Sequence, residues 1–187
     1  TINWQINDHL TFKHTLRYTD AEAKQQNTYH QGFAENSDRE LIRTAYTTDE
    51  SMTNCATDNQ LAYQLYTDKT SHNLLFGVDF QHAKSNAKYA AAMYQGIPTI
   101  DLADPNYDLF AKQPINLTGY QQQDDITQRQ LGVYLQDEMQ WDKLTVVAGL
   151  RRDNFKSTTD SQAIGSDNKT TINKANETTG RLAVKWG

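Results

Sequence analysis

Alternation between apolar and polar side chains is clearest in residues 129–153, where it predicts a β-hairpin with a turn at residues 141–143. On the first arm, one face carries Leu131, Val133, Leu135, Met139 and Trp141. The opposite face carries Gln130, Tyr134, Gln136, Glu138 and Gln140. The second arm continues with Leu144, Val146, Ala148 and Leu150 against Thr145, Gly149 and Arg151. This pattern is typical of transmembrane barrel strands, and it also fits a large soluble barrel or sandwich.

The same alternation predicts further strands, and the connections between them differ in length at the two ends. The predicted strands cover residues 2–6, 9–29, 39–66, 73–81 and 181–187. Short polar turns lie near Asn7, Asp68 and Asp142, whereas long connections are predicted at residues 31–38, 94–125 and 158–176. All three prolines lie in the second of these, which favours an irregular loop. Short turns at one end and long loops at the other are the plan of outer-membrane barrels.

The three tryptophans mark a repeated turn. Trp4 and Trp141 each precede a short polar turn, and an L-T-x4-L-R pattern follows, from Leu10 and from Leu144. Trp186 ends the last predicted strand. We therefore expect all three at one level of the structure, as in an aromatic girdle at a membrane interface.

Composition excludes several classes of protein. Only 37% of residues are hydrophobic and the mean hydropathy is −0.80, yet 10% are aromatic, which suits neither an ordinary core nor a disordered chain. No run of eighteen apolar residues is present, which excludes a transmembrane helix. A net charge of −5 without a basic cluster argues against nucleic acid as a partner. Cys55 is the single cysteine, so no intrachain disulfide forms, and we expect a small wall residue on a strand rather than a reactive thiol.

Catalytic and metal-binding chemistry has no support in the sequence. The five histidines form no ligand-spaced cluster, and phosphate-loop, hydrolase and zinc signatures are absent. We therefore predict no catalytic residue, no metal site and no enzyme activity. Asp137 shares parity with Leu135 and Met139, which would expose it to lipid. A bulge, or a position near the membrane interface, is expected there.

Two stretches resemble a known family. The run LGVYLQDEMQWDKLTVVAGLRRD, residues 131–153, closely resembles the signature of TonB-dependent siderophore receptors, and HNLLFGVDF, residues 72–80, is similar to the family's preceding strand. The Asp-Pro and Asn-Tyr-Asp-Leu-Phe stretches of the long loop are similar to ferrichrome and related hydroxamate receptors.

The resemblance implies an all-β fold, an antiparallel up-and-down transmembrane β-barrel of roughly 22 strands around a plug. Residues 1–187 would be part of a single barrel domain, a mid-barrel segment of six or seven strands. The plug, the energy-coupling box and the C-terminal strands would be missing.

The function implied is import of ferric siderophores of the hydroxamate type across the bacterial outer membrane. Implied partners are the ferric siderophore, the TonB–ExbB–ExbD energy-transducing system acting through the missing plug, and outer-membrane lipid. No cofactor is implied, because the siderophore carries the iron. The candidate ligand contacts are Tyr29, Gln31, Phe33, Met93 and Tyr94. Gln31 stands where ferrichrome-type receptors have a second aromatic residue.

Two rival classes remain open at this stage. A soluble β-sandwich or barrel acting as a binding module would pack a second layer on Leu131, Val133, Leu144 and Val146. An outer-membrane enzyme or adhesin barrel would bring carboxylate, serine or histidine groups together in the lumen.

Overall fold

The computed structural model describes residues 1–92, 97–108 and 121–187, and for Ala92 the backbone alone. The strands are β1 (Ile2–Gln5), β2 (Leu10–Phe33), β3 (Glu40–Tyr66), β4 (Thr70–Ala92), β5 (Ile100–Asp101), β6 (Gln122–Trp141), β7 (Leu144–Ala163) and β8 (Lys169–Trp186). Among the described residues, no helix has the length and hydropathy needed to cross a membrane.

All the strands belong to one antiparallel sheet with the order β1-β2-β3-β4-β6-β7-β8. Strands that follow one another in the chain are therefore neighbours in the sheet. The exception is β5, which pairs with the start of β3 at Glu40 and Leu41, beyond the point where β4 stops. The predicted all-β, antiparallel up-and-down fold is confirmed.

Tight turns occur at the predicted positions. Only Asp142 and Lys143 separate β6 from β7, and Asp142 adopts a φ of 50°, a conformation that Asp tolerates better than most residues. Asn7 caps the first turn, because its side-chain Oδ1 accepts hydrogen bonds from the amides of His9 and Leu10.

The strands extend further from these turns than the sequence predicts. Residues 158–176 were predicted as a loop, but β7 continues to Ala163 and β8 begins at Lys169. Strand β4 likewise runs to Ala92 instead of ending at Gln81. These predictions were wrong because the segments lack proline and pair continuously with their neighbours. Backbone hydrogen bonding sustains a strand there without an apolar face.

One face of the sheet, here called the outer face, is apolar and uncovered. Leu131 and Val133 keep 45% and 40% of their surface exposed, and the buried hydrophobic residues within the described ranges are only Ala45, Ala90 and Ile97. Within the described part of the chain no second layer lies on this face, whereas the soluble sandwich alternative required one on Leu131 and Val133. The three tryptophans lie exposed on the outer face, each near a short-turn end, as predicted.

Asp137 also lies on the outer face, and the bulge considered for it is absent. Pairing of β6 with both neighbours runs through this position without a register shift. Instead, Asp137 Oδ2 lies 2.8 Å from His72 Nδ1, and His72 Nε2 lies 3.2 Å from Thr70 Oγ1. The acid is thus partnered close to the short-turn end of the sheet.

Candidate functional site

The opposite face, here called the inner face, carries a hydrogen-bonded polar network at the height of the outer apolar band. The hydroxyl of Tyr134 donates to Asp58 Oδ1 at 2.8 Å, and Gln60 Nε2 donates to Asp58 Oδ2 at 2.7 Å. Arg151 donates to both oxygens of Asp79, at 2.6 and 3.0 Å, and to both oxygens of Asp153, at 2.8 and 2.7 Å. These paired donors satisfy the carboxylates in a partly buried setting.

Glycines allow the network to cross whole strands. A Cβ on Gly77 would lie 2.0 Å from Cζ of Tyr134, and a Cβ on Gly132 would lie 2.1 Å from Nη2 of Arg151. Tyr134 on β6 therefore crosses β4 to reach Asp58 on β3, and Arg151 on β7 crosses β6 to reach Asp79 on β4. Both long side chains lie along the wall rather than projecting away from it.

An aromatic cluster occupies the inner face at the long-loop end of the sheet. We call Tyr29, Tyr46 and Tyr89 the tyrosine strip. The ring centroids of Tyr29 and Tyr46 are 5.7 Å apart, and those of Tyr46 and Tyr89 are 6.2 Å apart with planes 29° from parallel. Tyr46 lies 12 residues from Asp58, about 40 Å along the strand, well beyond the apolar band.

Polar atoms and small side chains surround the tyrosine strip. Asn27 Nδ2 donates to the hydroxyl of Tyr46 at 3.0 Å. Thr48 Oγ1, on the residue directly opposite Tyr89, is buried and has no hydrogen-bond partner among the described residues. Between the tyrosine strip and the polar network, the inner face carries Ala23 on β2 and Ala87 on β4, which lie directly opposite Glu50 of β3 on either side. The wall therefore offers aromatic faces and hydrogen-bonding atoms beside a recess left by alanines.

A β-bulge separates the candidates on β2. The register shifts between His30 and Gly32, which makes Gln31 the extra residue, and Gly32 adopts a φ of 145° that favours glycine. Beyond the bulge Phe33 pairs with Leu41, which shares the parity of the outer-face residues of β3. Tyr29 therefore joins the tyrosine strip, whereas Phe33 lies on the other face. Met93 and Tyr94 lie outside the described residues.

A buried arginine on β3 holds residues 98 and 99 against that strand. Arg43 is 7% exposed and donates from Nε to the carbonyl of Pro98 at 2.8 Å and from Nη2 to that of Thr99 at 3.4 Å. Burial lowers the pKa of Arg43. Nearby, Arg39 forms an ion pair with Asp101. The hydrogen bonds between Arg39 and Asp101 raise the pKa of the Arg39 guanidinium and lower the pKa of the Asp101 carboxyl.

Within residues 1–92, 97–108 and 121–187, no group of three or more His, Cys, Asp or Glu side chains is arranged to hold a metal ion. Cys55 is a half-buried free thiol on β3, in the strand position predicted for it. In the sheet register it lies on the outer face, directly opposite Tyr18 on β2 and His82 on β4.

Sequence reasoning missed Tyr46, Tyr89 and the network around Arg151. The signal for the two tyrosines was their parity along the strand. Tyr46 is an even number of residues from Asp58 on β3, and Tyr89 is an even number of residues from Asp79 on β4. The pairing of β3 with β4 has no register shift, so each tyrosine shares the face of its aspartate. The strand-crossing contacts of the network left no signal in the sequence.

The sheet has an exposed apolar outer face and a polar inner face. Short turns lie at one end of it and the tyrosine strip at the other. Together these features define a segment of a transmembrane β-barrel. The family model for the TonB-dependent receptor-like β-barrel matches residues 1–186. The chain therefore belongs to the TonB-dependent receptor β-barrel family, and it is part of an outer-membrane protein.

Similar proteins agree with this assignment. The chain is 29% identical over 168 residues to the ferrichrome outer membrane transporter/phage receptor of Escherichia coli K12, covering 80% of this chain and 22% of that protein. It is 32% identical over 180 residues to the ferrioxamine receptor of Yersinia enterocolitica, covering 91% of this chain and 24% of that protein. The chain thus spans about a quarter of the length of these relatives.

Solved structures show the same fold. The siderophore receptor PiuA from Acinetobacter baumannii matches with a TM-score of 0.80 at 14% identity, covering 98% of this chain and 28% of that one. The ferric-catecholate import receptor Fiu from E. coli K12 matches with a TM-score of 0.70 at 16% identity, covering 97% and 28%.

Proposed function

We propose that this chain is the mid-barrel part of a TonB-dependent receptor that imports ferric siderophores of the hydroxamate type. Family membership supports the receptor class, and the ferrichrome and ferrioxamine of the relatives' names are both hydroxamate chelates. The observation that carries the proposal is the tyrosine strip on the inner wall, at the end where ligand enters from outside.

Recognition would depend on the surface of the chelate rather than on its iron. A hydroxamate siderophore encloses the metal in its own oxygen ligands, so the protein supplies aromatic faces and hydrogen bonds. The rings of Tyr29, Tyr46 and Tyr89 give a flat contact area, and Asn27 and Thr48 give polar partners beside it. The iron is cargo in this proposal, and the barrel needs neither a resident metal nor a catalytic residue.

The remaining contacts and partners are proposed on the same basis. Gln31, Phe33, Met93 and Tyr94 are proposed as further ligand contacts; Gln31 lies at the bulge, and Phe33 lies beyond it on the face opposite the tyrosine strip. Bound siderophore would be released inward when the TonB–ExbB–ExbD system acts on a plug. Lipid of the outer membrane would cover the outer face.

Uptake by the full-length receptor tests the proposal. In an iron-limited strain that lacks its own siderophore receptors, we expect the receptor to transport radiolabelled iron supplied as ferrichrome or ferrioxamine B. We do not expect transport of a ferric catecholate. Tyr46→Leu should weaken binding of the transported chelate roughly three- to tenfold, because one aromatic contact is worth about 0.5–1.5 kcal/mol.

Tyr18→Leu is the matched control, since Tyr18 is 65% exposed on the outer face. It should leave binding unchanged at equal receptor abundance. Transport of the catecholate alone would contradict the hydroxamate assignment. Equal binding by wild type and Tyr46→Leu would contradict the role of the tyrosine strip.

A further inference from the structure

Two carboxylates flank a small side chain just below the tyrosine strip. Glu50 on β3 and Asp124 on β6 both lie directly opposite Ala87 of β4, one on each side of it. We call Glu50 and Asp124 the acidic pair. They share the inner face with Tyr89, which is two residues from Ala87 on β4. With one strand between them, their backbones are about 10 Å apart. Because Ala87 ends at its Cβ, the two carboxylates face a common open space.

The inner face offers room for a ligand group at this place. A recess of about 330 Å³ lies between β2, β3 and β4, and its lining includes Glu50, Met52 and Ala87. It continues the wall of the tyrosine strip towards the polar network. A ligand lying on the tyrosine rings can therefore extend a side arm to the acidic pair.

No basic side chain neutralises the acidic pair. Within the described residues, neither carboxylate forms an ion pair. From the tyrosine strip down to the level of Arg17, the inner face of β2, β3, β4 and β6 carries no other Lys or Arg. Lys169 on β8 lies in the same row, but Ser161 of β7 separates it from Asp124. The wall beside the tyrosine strip is therefore negatively charged.

The acidic pair also has an unused hydrogen-bond acceptor. Asp124 Oδ2 accepts a hydrogen bond from Gln122 Nε2 at 2.8 Å. Asp124 Oδ1 is shielded from solvent and has no partner among the described residues. Leaving a shielded carboxylate oxygen unpaired costs free energy. The arrangement therefore favours a ligand that brings both positive charge and N–H donors.

An organic ammonium group fits these observations better than a metal ion does. Calcium takes roughly six to eight oxygen ligands, and no group of three or more His, Cys, Asp or Glu side chains is arranged to hold a metal within the described ranges. An ammonium group donates hydrogen bonds to carboxylates, and it is attracted to the face of a tyrosine ring. Tyr89 supplies such a ring about 7 Å along the strand from the row of the acidic pair.

We propose that the acidic pair binds a primary ammonium group on the tail of the siderophore, so that the receptor selects cationic over neutral hydroxamate chelates. The body of the chelate lies on the tyrosine strip, and its tail reaches Glu50 and Asp124. This inference rests on the proposed function, because it assigns ligand specificity to the same site.

Two chelates that differ by one charge test the inference. Ferrioxamine B is a linear hydroxamate chelate with a free primary ammonium, and acetylation of its amine gives a neutral chelate with the same iron centre. Titration calorimetry on the purified full-length receptor in nonionic detergent measures both affinities. We expect the cationic chelate to bind on the order of tenfold more tightly, because each partly exposed ion pair contributes up to about fivefold. The difference should shrink as the salt concentration rises.

The variant E50Q/D124N should bind both chelates with the affinity that wild type has for the acetylated one, and each single variant should lose part of the preference. Retained binding of the acetylated chelate shows that the double variant is folded. The matched control is E22Q/D125N, which removes one Glu and one Asp from the outer face of the same region. It should keep the wild-type preference.

Equal affinity of wild type for the two chelates would overturn the inference and leave the proposed function standing. A preference that survives in E50Q/D124N would do the same. Loss of the preference when calcium chloride replaces sodium chloride at equal ionic strength would assign the acidic pair to a metal ion and also overturn it. Binding of neither chelate by wild type would overturn the proposed function together with this inference.

Discussion

Tyr134 lies flat across Gly77, the residue directly opposite it on β4, with Cζ 2.0 Å from the place that a Cβ of Gly77 would occupy. This contact lets the tyrosine hydroxyl reach Asp58 on the next strand, β3, at 2.8 Å. Arg151 repeats the arrangement one strand further on by crossing Gly132 to reach Asp79. The inner wall is thus held together by side chains that each join strands two apart.

Gly77→Ala tests this arrangement. The added methyl group would force the Tyr134 ring off the wall and break its hydrogen bond to Asp58, so we expect a loss of about 1–3 kcal/mol in the free energy of unfolding. Urea unfolding of the full-length receptor in lipid vesicles measures it. Gly180→Ala is the matched control, because its Cβ would meet no atom closer than 3.4 Å. Equal stability of the two variants would show that the ring relocates without loss.

Arg151→Gln should also destabilise the barrel, because it leaves Asp79 and Asp153 without their shared cation. We expect a loss of about 1–3 kcal/mol for the stranded acceptors. Asp79→Asn in the same chain should recover part of that loss, because it removes one uncompensated charge. A double-mutant cycle on the unfolding free energies gives the coupling. Strict additivity of the two losses would contradict a direct interaction.

The fold was predictable where one face of a strand is apolar and the other polar. Around Trp141 the apolar alternation specified the strands, their turn and the direction of each side chain, and these were confirmed. The polar ends of β7 and β8 carry no such alternation, because neither face of these segments is apolar. Their strands depend on backbone pairing alone, so the sequence predicted a loop.

The candidate site was likewise predictable only in part. Tyr29 was identified by resemblance, and the structure adds Tyr46 beside it, on a neighbouring strand 17 residues away in the chain. Phe33 shows why parity counted along one strand fails, since the bulge at Gln31 reverses the faces of the residues beyond it. Cross-strand register is a property of the pairing and is not encoded in the spacing within either strand.

The attachment of β5 to β3 should depend on pH through Asp101. Hydrogen bonding to Arg39 lowers the pKa of Asp101 below its ordinary value of 3.8. The contribution of the ion pair is therefore fully present above pH 3.8 and is lost as pH falls through the lower folded-state pKa. Hydrogen exchange of the Leu102 amide, which donates to the carbonyl of Arg39, should lose protection in that acid range. Arg39→Gln should show reduced protection already at neutral pH and no acid step.

His72 and Asp137 form the remaining test, because a hydrogen-bonded polar pair on an apolar surface is costly to break but tolerates replacement by apolar residues. His72→Phe leaves Asp137 on the apolar outer face without its hydrogen-bond partner, which should cost about 1–2 kcal/mol. The double variant H72F/D137L removes both polar groups and should be as stable as wild type or more stable, as found for buried pairs replaced by apolar residues. Urea unfolding in vesicles measures both variants. A double variant less stable than wild type would mean that the polar pair contributes more to stability than the apolar side chains that replace it.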